Sequence, residues 1–123
     1  MYGLYIHIPF CIKKCRYCDF TSFSGCGDIF DRYIDTLLKE AKKYSHLTFD
    51  TVFIGGGTPT LLSAHQLSRL LFGIKENLNI TGDAEISIES NPKTLNEEKL
   101  FTLKEHGVNR ISIGVQSFSD TEL

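Results

Sequence analysis

Cys11-Ile12-Lys13-Lys14-Cys15-Arg16-Tyr17-Cys18 places three cysteines at C-x3-C-x2-C spacing directly behind the first apolar segment of a 123-residue chain. So short a loop costs little entropy to close, and its three thiolates can point at one centre. Structural zinc normally completes a shell of four Cys or His ligands. Three soft ligands without a local fourth fit one of two centres. One is a zinc site completed from a distance by Cys26, His7 or His46. The other is an iron–sulfur cubane with one iron left open.

The cysteine loop stands at the start of a repeating strand–loop–helix pattern with a period of roughly 30 residues, the size of a βα unit. Leu4–Ile8 predicts the first strand. Asp28 caps a helix with Phe30, Tyr33, Ile34, Leu37, Leu38 and Ala41 at helical spacing. Thr51–Ile54 is a second strand ending in Gly55-Gly56-Gly57, and Ser63 with Gln66 forms a capping box for a helix whose apolar face is Leu67, Leu70, Leu71 and Ile74. Ala84–Glu89 predicts a third strand. Thr94 with Glu97, or Asn96 alone, opens a third helix that stops near Gly107. Arg110–Val115 predicts a fourth strand, and Ser119 with Glu122 opens a further helix as the sequence reaches Leu123. Strands alternating with helices imply an α/β fold with a parallel sheet.

Strand alternation sorts the side chains into two faces. Leu4, Ile6, Ile8, Val52, Ile54, Ile86, Ile88, Ile111, Ile113 and Val115 form an aliphatic face that should meet the helices. Tyr5, His7, Phe53, Gly55, Ser87, Glu89, Ser112, Gly114 and Gln116 form the other. A filled barrel core is rich in Val, Ile and Leu on its inner face. This inner face is polar and partly empty, as an open barrel around a polar ligand requires.

Composition bounds the function. An apolar fraction of 41% supports one domain with a real core, and a net charge of −2 points to neither nucleic acid nor a charged membrane surface. No apolar run reaches the length of a membrane span, and no signal peptide precedes the first strand. Three closely spaced cysteines in a chain of ordinary core size indicate a reducing cytoplasm rather than a disulfide framework. His46, His65 and His106 read as surface residues, His7 as a histidine hydrogen-bonded inside the cavity, and Lys39 to Lys43 as a solvated helix face. Gly55-Gly56-Gly57-Thr58-Pro59 offers close backbone approach to a ligand. It is not a phosphate loop, because no G-K-[ST] follows.

The cysteine spacing, His7-Ile8-Pro9-Phe10-Cys11, Gly55-Gly56-Gly57-Thr58-Pro59-Thr60, Glu89-Ser90-Asn91-Pro92 and Ser112-Ile113-Gly114-Val115-Gln116-Ser117-Phe118 occur in an order and at intervals that resemble the radical S-adenosylmethionine (SAM) superfamily. Within it the chain is similar to the oxygen-independent coproporphyrinogen III oxidases and their heme-chaperone relatives. The resemblance runs from about Tyr2 to the last residue. It implies that residues 1–123 are the N-terminal part of a radical SAM core domain, the first four or so βα units of a partial (β/α)6 TIM-like barrel. The rest of the barrel and a C-terminal domain would be missing, and such a fragment is expected to be inactive alone. Cys11, Cys15 and Cys18 would hold a [4Fe–4S] cluster, with SAM on the fourth iron. A reduced cluster would then pass one electron to the sulfonium, giving methionine and a 5′-deoxyadenosyl radical. Gly56, Gly57 and Thr58 would contact the methionine end of SAM. Tyr5, Glu89 and Gln116 match further SAM-contacting positions, and Tyr17 the aromatic that covers the adenine. Cys26 matches no ligand position.

One departure divides the family. The oxidases carry a further cysteine two residues after the third cluster ligand, where this sequence has Phe20. Phe20 favours a heme chaperone that keeps the cluster, binds heme and passes it to an acceptor protein. The alternatives are a radical oxidase converting coproporphyrinogen III to protoporphyrinogen IX in heme biosynthesis, and a zinc-stabilised module. The first two call for a one-electron donor such as flavodoxin or ferredoxin.

Overall fold

The computed structural model describes residues 1–10 and 23–113, and the side chains of 23–27 lie outside the description. Four parallel strands stand in chain order: β1 (Tyr2–Ile8), β2 (Thr48–Gly56), β3 (Asn79–Ser90) and β4 (Arg110–Ile113). Helices α1 (Phe23–Ala41), α2 (Ala64–Asn77) and α3 (Glu97–Glu105) alternate with them. The expected α/β order is borne out. The predicted helix after Ser119 and the residues Gly114, Val115 and Gln116 lie outside the described residues.

The sheet is held in register by aliphatic rows. Ile6, Ile54, Ile88 and Ile111 are cross-strand partners in sequence, forming one row of isoleucines across all four strands. Ile54 and Ile88 are wholly buried and Ile6 nearly so, beneath Ile34 of α1 and Leu67, Leu70 and Ile74 of α2. A slip of one residue in any strand would turn its row to the wrong face. Ile113 departs from the expected pattern. It stays largely exposed on the outer strand β4, where no described helix covers it. Among the described residues β1 and β4 are the two outer strands.

Several boundaries differ from the sequence reading, and β1 and β2 begin at Tyr2 and Thr48 rather than at Leu4 and Thr51. Helix α1 starts at Phe23, so Asp28 lies inside it and does not cap it. An elongating helix gains one hydrogen bond per residue, enough to carry it through Gly25 and Gly27 at about 1 kcal/mol each. Strand β3 starts five residues before Ala84, because a bulge lets Asn79 and Ile80 pair with Thr48 and Phe49 before Glu85 meets Thr51. Strand β4 begins at Arg110 as expected. Asn109 prepares it by donating its N–H to Ile86 O (3.0 Å), with its side chain bonded to Ile86 N and Ala84 O (both 3.0 Å).

The caps are clearer. Ser63 Oγ accepts from Gln66 N–H (3.1 Å) and Gln66 Oε1 from Ser63 N–H (2.9 Å), the capping box in full. Asn96 alone caps α3, accepting from Lys99 N–H at 2.8 Å, while Thr94 belongs to the preceding 3₁₀ turn Pro92–Thr94. Gly107 follows α3 at φ +89°, the left-handed conformation that ends helices. Ser63→Ala should lower stability by about 1 kcal/mol, read as a lower urea midpoint with unchanged slope.

Candidate cofactor site

Of the sequence-predicted site residues within the description, Gly56, Gly57, Thr58 and Glu89 lie at or just past the C-terminal ends of β2 and β3, while Tyr5 lies within β1. The glycine run closes β2, and its amides continue the β1–β2 ladder beyond both strands. Gly57 N–H donates to Ile8 O (2.7 Å) and Thr58 N–H to Phe10 O (2.6 Å). Phe10 immediately precedes Cys11, so the entrance of the cysteine loop is tied by main-chain bonds to the glycine turn. Phe10 also packs on Phe30 and Tyr33 of α1, with ring centroids 4.3 and 5.3 Å apart. The Tyr33 hydroxyl donates to His7 O. Burial, and secondarily the neighbouring Tyr5, holds the Tyr33 phenol above its usual pKa of 10.0.

Gly56 and Gly57 are required by the protein itself. A Cβ on Gly55 would lie 2.4 Å from Glu89 Oε1, and one on Gly57 would lie 2.2 Å from Phe10 O. Gly56 sits at φ +111°, with the His7 ring 2.5 Å from where its Cβ would be. On these sides the space next to the backbone is occupied by Glu89, His7 and Phe10.

Glu89 is half-buried, and its Oε1 accepts the Gly56 N–H at 2.9 Å. The amides of Gly56, Gly57 and Thr58 are thus all engaged, and Thr58 O accepts the Leu61 N–H at 2.9 Å. Tyr5 and Phe53 lie on the same sheet face, stacked at 5.8 Å and 17°, and both are exposed. Below them a cavity of about 360 Å³ is lined by residues including Thr51, Glu85, Ser87, Arg110 and Ser112. The polar, open inner face is therefore present. A carboxylate and exposed aromatic rings on one face fit a ligand that carries donor groups and a flat heterocycle.

Cys11, Cys15, Cys18, Tyr17, Phe20 and Gln116 lie outside the described residues, as does the Cys26 side chain. His7 is exposed, and its Nδ1 is 3.2 Å from the Tyr5 hydroxyl. Its hydrogen bond is as expected, its enclosure is not. His46 precedes β2, whose Phe49 pairs with Tyr2 while Gly56 pairs with Ile8. Six residues of strand, about 20 Å, separate that end of the sheet from Ile8. His46 and His65 are exposed, but His106 is half-buried and bonded to Ser68 Oγ (2.9 Å), so it is no simple surface residue. Phe10, Tyr33, Thr60 and Lys99 support the loops, a role the sequence reading gave to none of them.

The radical SAM superfamily model matches residues 5–123. Among curated relatives, the heme chaperone HemW of Buchnera aphidicola (Schizaphis graminum strain) is 48% identical over 95% of this chain and 32% of its own. Those of Escherichia coli K12 and Bacillus subtilis are 46% and 45% identical, each over 98% of this chain and 33% of the relative. The chain thus spans about a third of the length of these relatives. The solved structure of Escherichia coli coproporphyrinogen III oxidase (HemN), a radical SAM enzyme, matches with a TM-score of 0.72 at 31% identity, covering 92% of this chain and 27% of that one. Among the described residues, no helix is long and apolar enough to cross a membrane.

Two outcomes test this construction. Gly57→Ala should cost about 2 kcal/mol or more by chemical denaturation, through overpacking against Phe10 O. Gly82→Ala, with nothing within 4 Å of its Cβ, should stay within about 0.5 kcal/mol. The raised Tyr33 pKa makes the folded chain hold the phenol proton longer than the unfolded one. Its contribution is complete below pH 10.0 and is lost as pH rises through the raised value. Tyr33→Phe should lose about 1 kcal/mol at neutral pH with the His7 hydrogen bond, and should lack that alkaline decline.

Proposed function

The chain belongs to the radical SAM superfamily, and on that premise we propose that it is the N-terminal part of the core domain of a cytoplasmic heme chaperone. In this reading Cys11, Cys15 and Cys18 hold a [4Fe–4S] cluster, SAM binds beside it, and the whole protein binds heme and hands it to an acceptor protein. The observation that carries the chaperone assignment is Phe20, at the position where the oxidases of the family have a further cysteine. Near-full coverage of this chain by heme chaperones at 45–48% identity supports it.

When bound, the cluster and SAM supply one-electron chemistry that side chains lack. The chain supplies position and polarity. Three thiolates leave one iron open. The carbonyls of Gly56 and Gly57 and the Thr58 hydroxyl accept hydrogen bonds from the amino group at the methionine end, since their amides are committed within the protein. The second carboxylate oxygen of Glu89 accepts from the ribose hydroxyls. Tyr5 and Gln116 border the same face, and Tyr17 covers the adenine. A flavodoxin or ferredoxin serves as electron donor.

A second reading, the coproporphyrinogen III oxidase, draws on the fold likeness to the oxidase structure. The missing fourth cysteine of that motif weighs against it.

Anaerobic reconstitution with iron and sulfide, followed by electron paramagnetic resonance of the reduced protein, tests the assignment. A cubane signal that changes when SAM is added is expected, and Cys15→Ser should abolish it. A protein that retains zinc and gives no cubane signal would overturn the reading. Heme titration followed by absorbance, with no decarboxylation of coproporphyrinogen III by the whole protein, is the outcome expected of the chaperone.

A further inference from the structure

Lys99 sits in the first turn of α3, three residues after its cap. Helix N-termini favour anions, and Glu97 and Glu98 comply, whereas Lys99 does not. Its ammonium is also half-buried. Desolvation pulls its pKa below the usual lysine value, with Glu98 opposing. A lysine placed against both local influences is explained by what it reaches. Its Nζ donates to Thr60 O (2.7 Å) and to Thr94 O (2.8 Å), charge-assisted bonds to two separate loops.

Those loops follow the two halves of the cofactor site. Thr60 belongs to the turn Pro59–Leu61, directly after Gly56, Gly57 and Thr58. Thr94 ends the turn Pro92–Thr94, directly after Glu89, Ser90 and Asn91. The wholly buried Thr60 side chain completes the link. Its Oγ1 is hydrogen-bonded to Ser90 Oγ (3.3 Å) and Thr94 Oγ1 (2.6 Å) and accepts from Asn91 N–H (3.4 Å).

We propose that Lys99 is a positioning residue of the cofactor site: its ammonium, held between the carbonyls of Thr60 and Thr94, fixes the glycine turn against the end of β3 and keeps the Gly56–Glu89 bond closed before any ligand binds. Its relevance to SAM rests on the reading of those loops given above, while the clamp itself is measurable without cofactor. A lysine that merely seated α3 would act on the helix. This one bonds to the two turns and, through Thr60, to the residue after Glu89.

Amide hydrogen exchange of the unliganded chain, read by NMR, tests the clamp. Lys99→Met keeps much of the stem and removes the charge. Exchange at Gly56, Gly57, Thr58, Asn91 and Thr94 should rise roughly tenfold or more, with Val52 and Ile86 in mid-strand unchanged. Lys99→Arg, which keeps a cation, should hold these amides within about threefold of the parent. Unchanged loop amides, or an equal rise throughout the chain, would overturn the proposal. Should Lys99→Met fail to fold, Lys99→Gln keeps a polar stem and removes the charge. It should accelerate the same loop amides, and their indifference would equally refute the clamp. Calorimetric titration of the reconstituted protein with SAM is the separate arm. Lys99→Met should weaken binding about tenfold while leaving the cluster signal recorded without SAM unchanged. A parent that does not bind SAM would remove the cofactor reading, and the amide pattern would still decide the clamp.

Discussion

The hydrogen bonds from Gly57 N–H to Ile8 O and from Thr58 N–H to Phe10 O set the geometry on which the rest of this site depends. They extend a parallel ladder past the ends of both strands, where the main chains pass too close for a side chain at Gly57. The last residue before the cysteine loop is thereby tied to the turn after β2. Phe10 is held from its other side by Phe30 and Tyr33, so α1 contributes to the same anchor. A loop meant to carry a metal cluster gains little from ligand spacing if its stem can wander. Here the stem is fixed by main-chain bonds that depend on no particular side chain at Ile8 or Phe10.

Electrostatics adds a second constraint. All three amides of Gly56, Gly57 and Thr58 are taken by acceptors of the protein, including one oxygen of the Glu89 carboxylate. A strand end with free N–H groups would attract anions, much as helix N-termini do. With its donors committed, this turn stands beside a carboxylate, a setting suited to a donor or a cation. The exposed face of the sheet repeats the theme, with Tyr5 and Phe53 offering ring surface above a partly polar cavity.

Much of this was legible in the sequence because it follows from short-range rules. Period-two aliphatic residues located every strand, the Ser63–Gln66 pair located α2, and Gly107 located the end of α3. The division into an aliphatic and a polar face placed Glu89, Gly55 and Tyr5 together without any structure. What the sequence hid depends on non-local approach. The Asn79–Ile80 segment joins β3 only because a bulge brings it to Thr48 and Phe49, and no local pattern announces that pairing. The glycine run reads equally as ligand contact or as tight packing, and only the positions of Glu89, His7 and Phe10 decide. Asp28 misled because a good capping residue lies inside a helix that had already begun.

Lys99 is the instructive case, since a signal for it was present. A lysine directly after Asn96-Glu97-Glu98 breaks the charge preference of a helix start, and such local conflicts mark places where something distant compensates. Thr60 adds its own hint, as a hydroxyl within an otherwise apolar turn. Neither residue touches the ligand face, yet both sit one layer behind the loops that do. The arrangement separates two demands that one residue could not meet. On the proposed reading Gly56, Gly57 and Glu89 keep oxygens for a ligand, so the bonds that hold their loops still come from other side chains. Thr60, Ser90, Thr94 and Lys99 supply those bonds from the protected side, and the site can be rigid without spending the acceptors it needs.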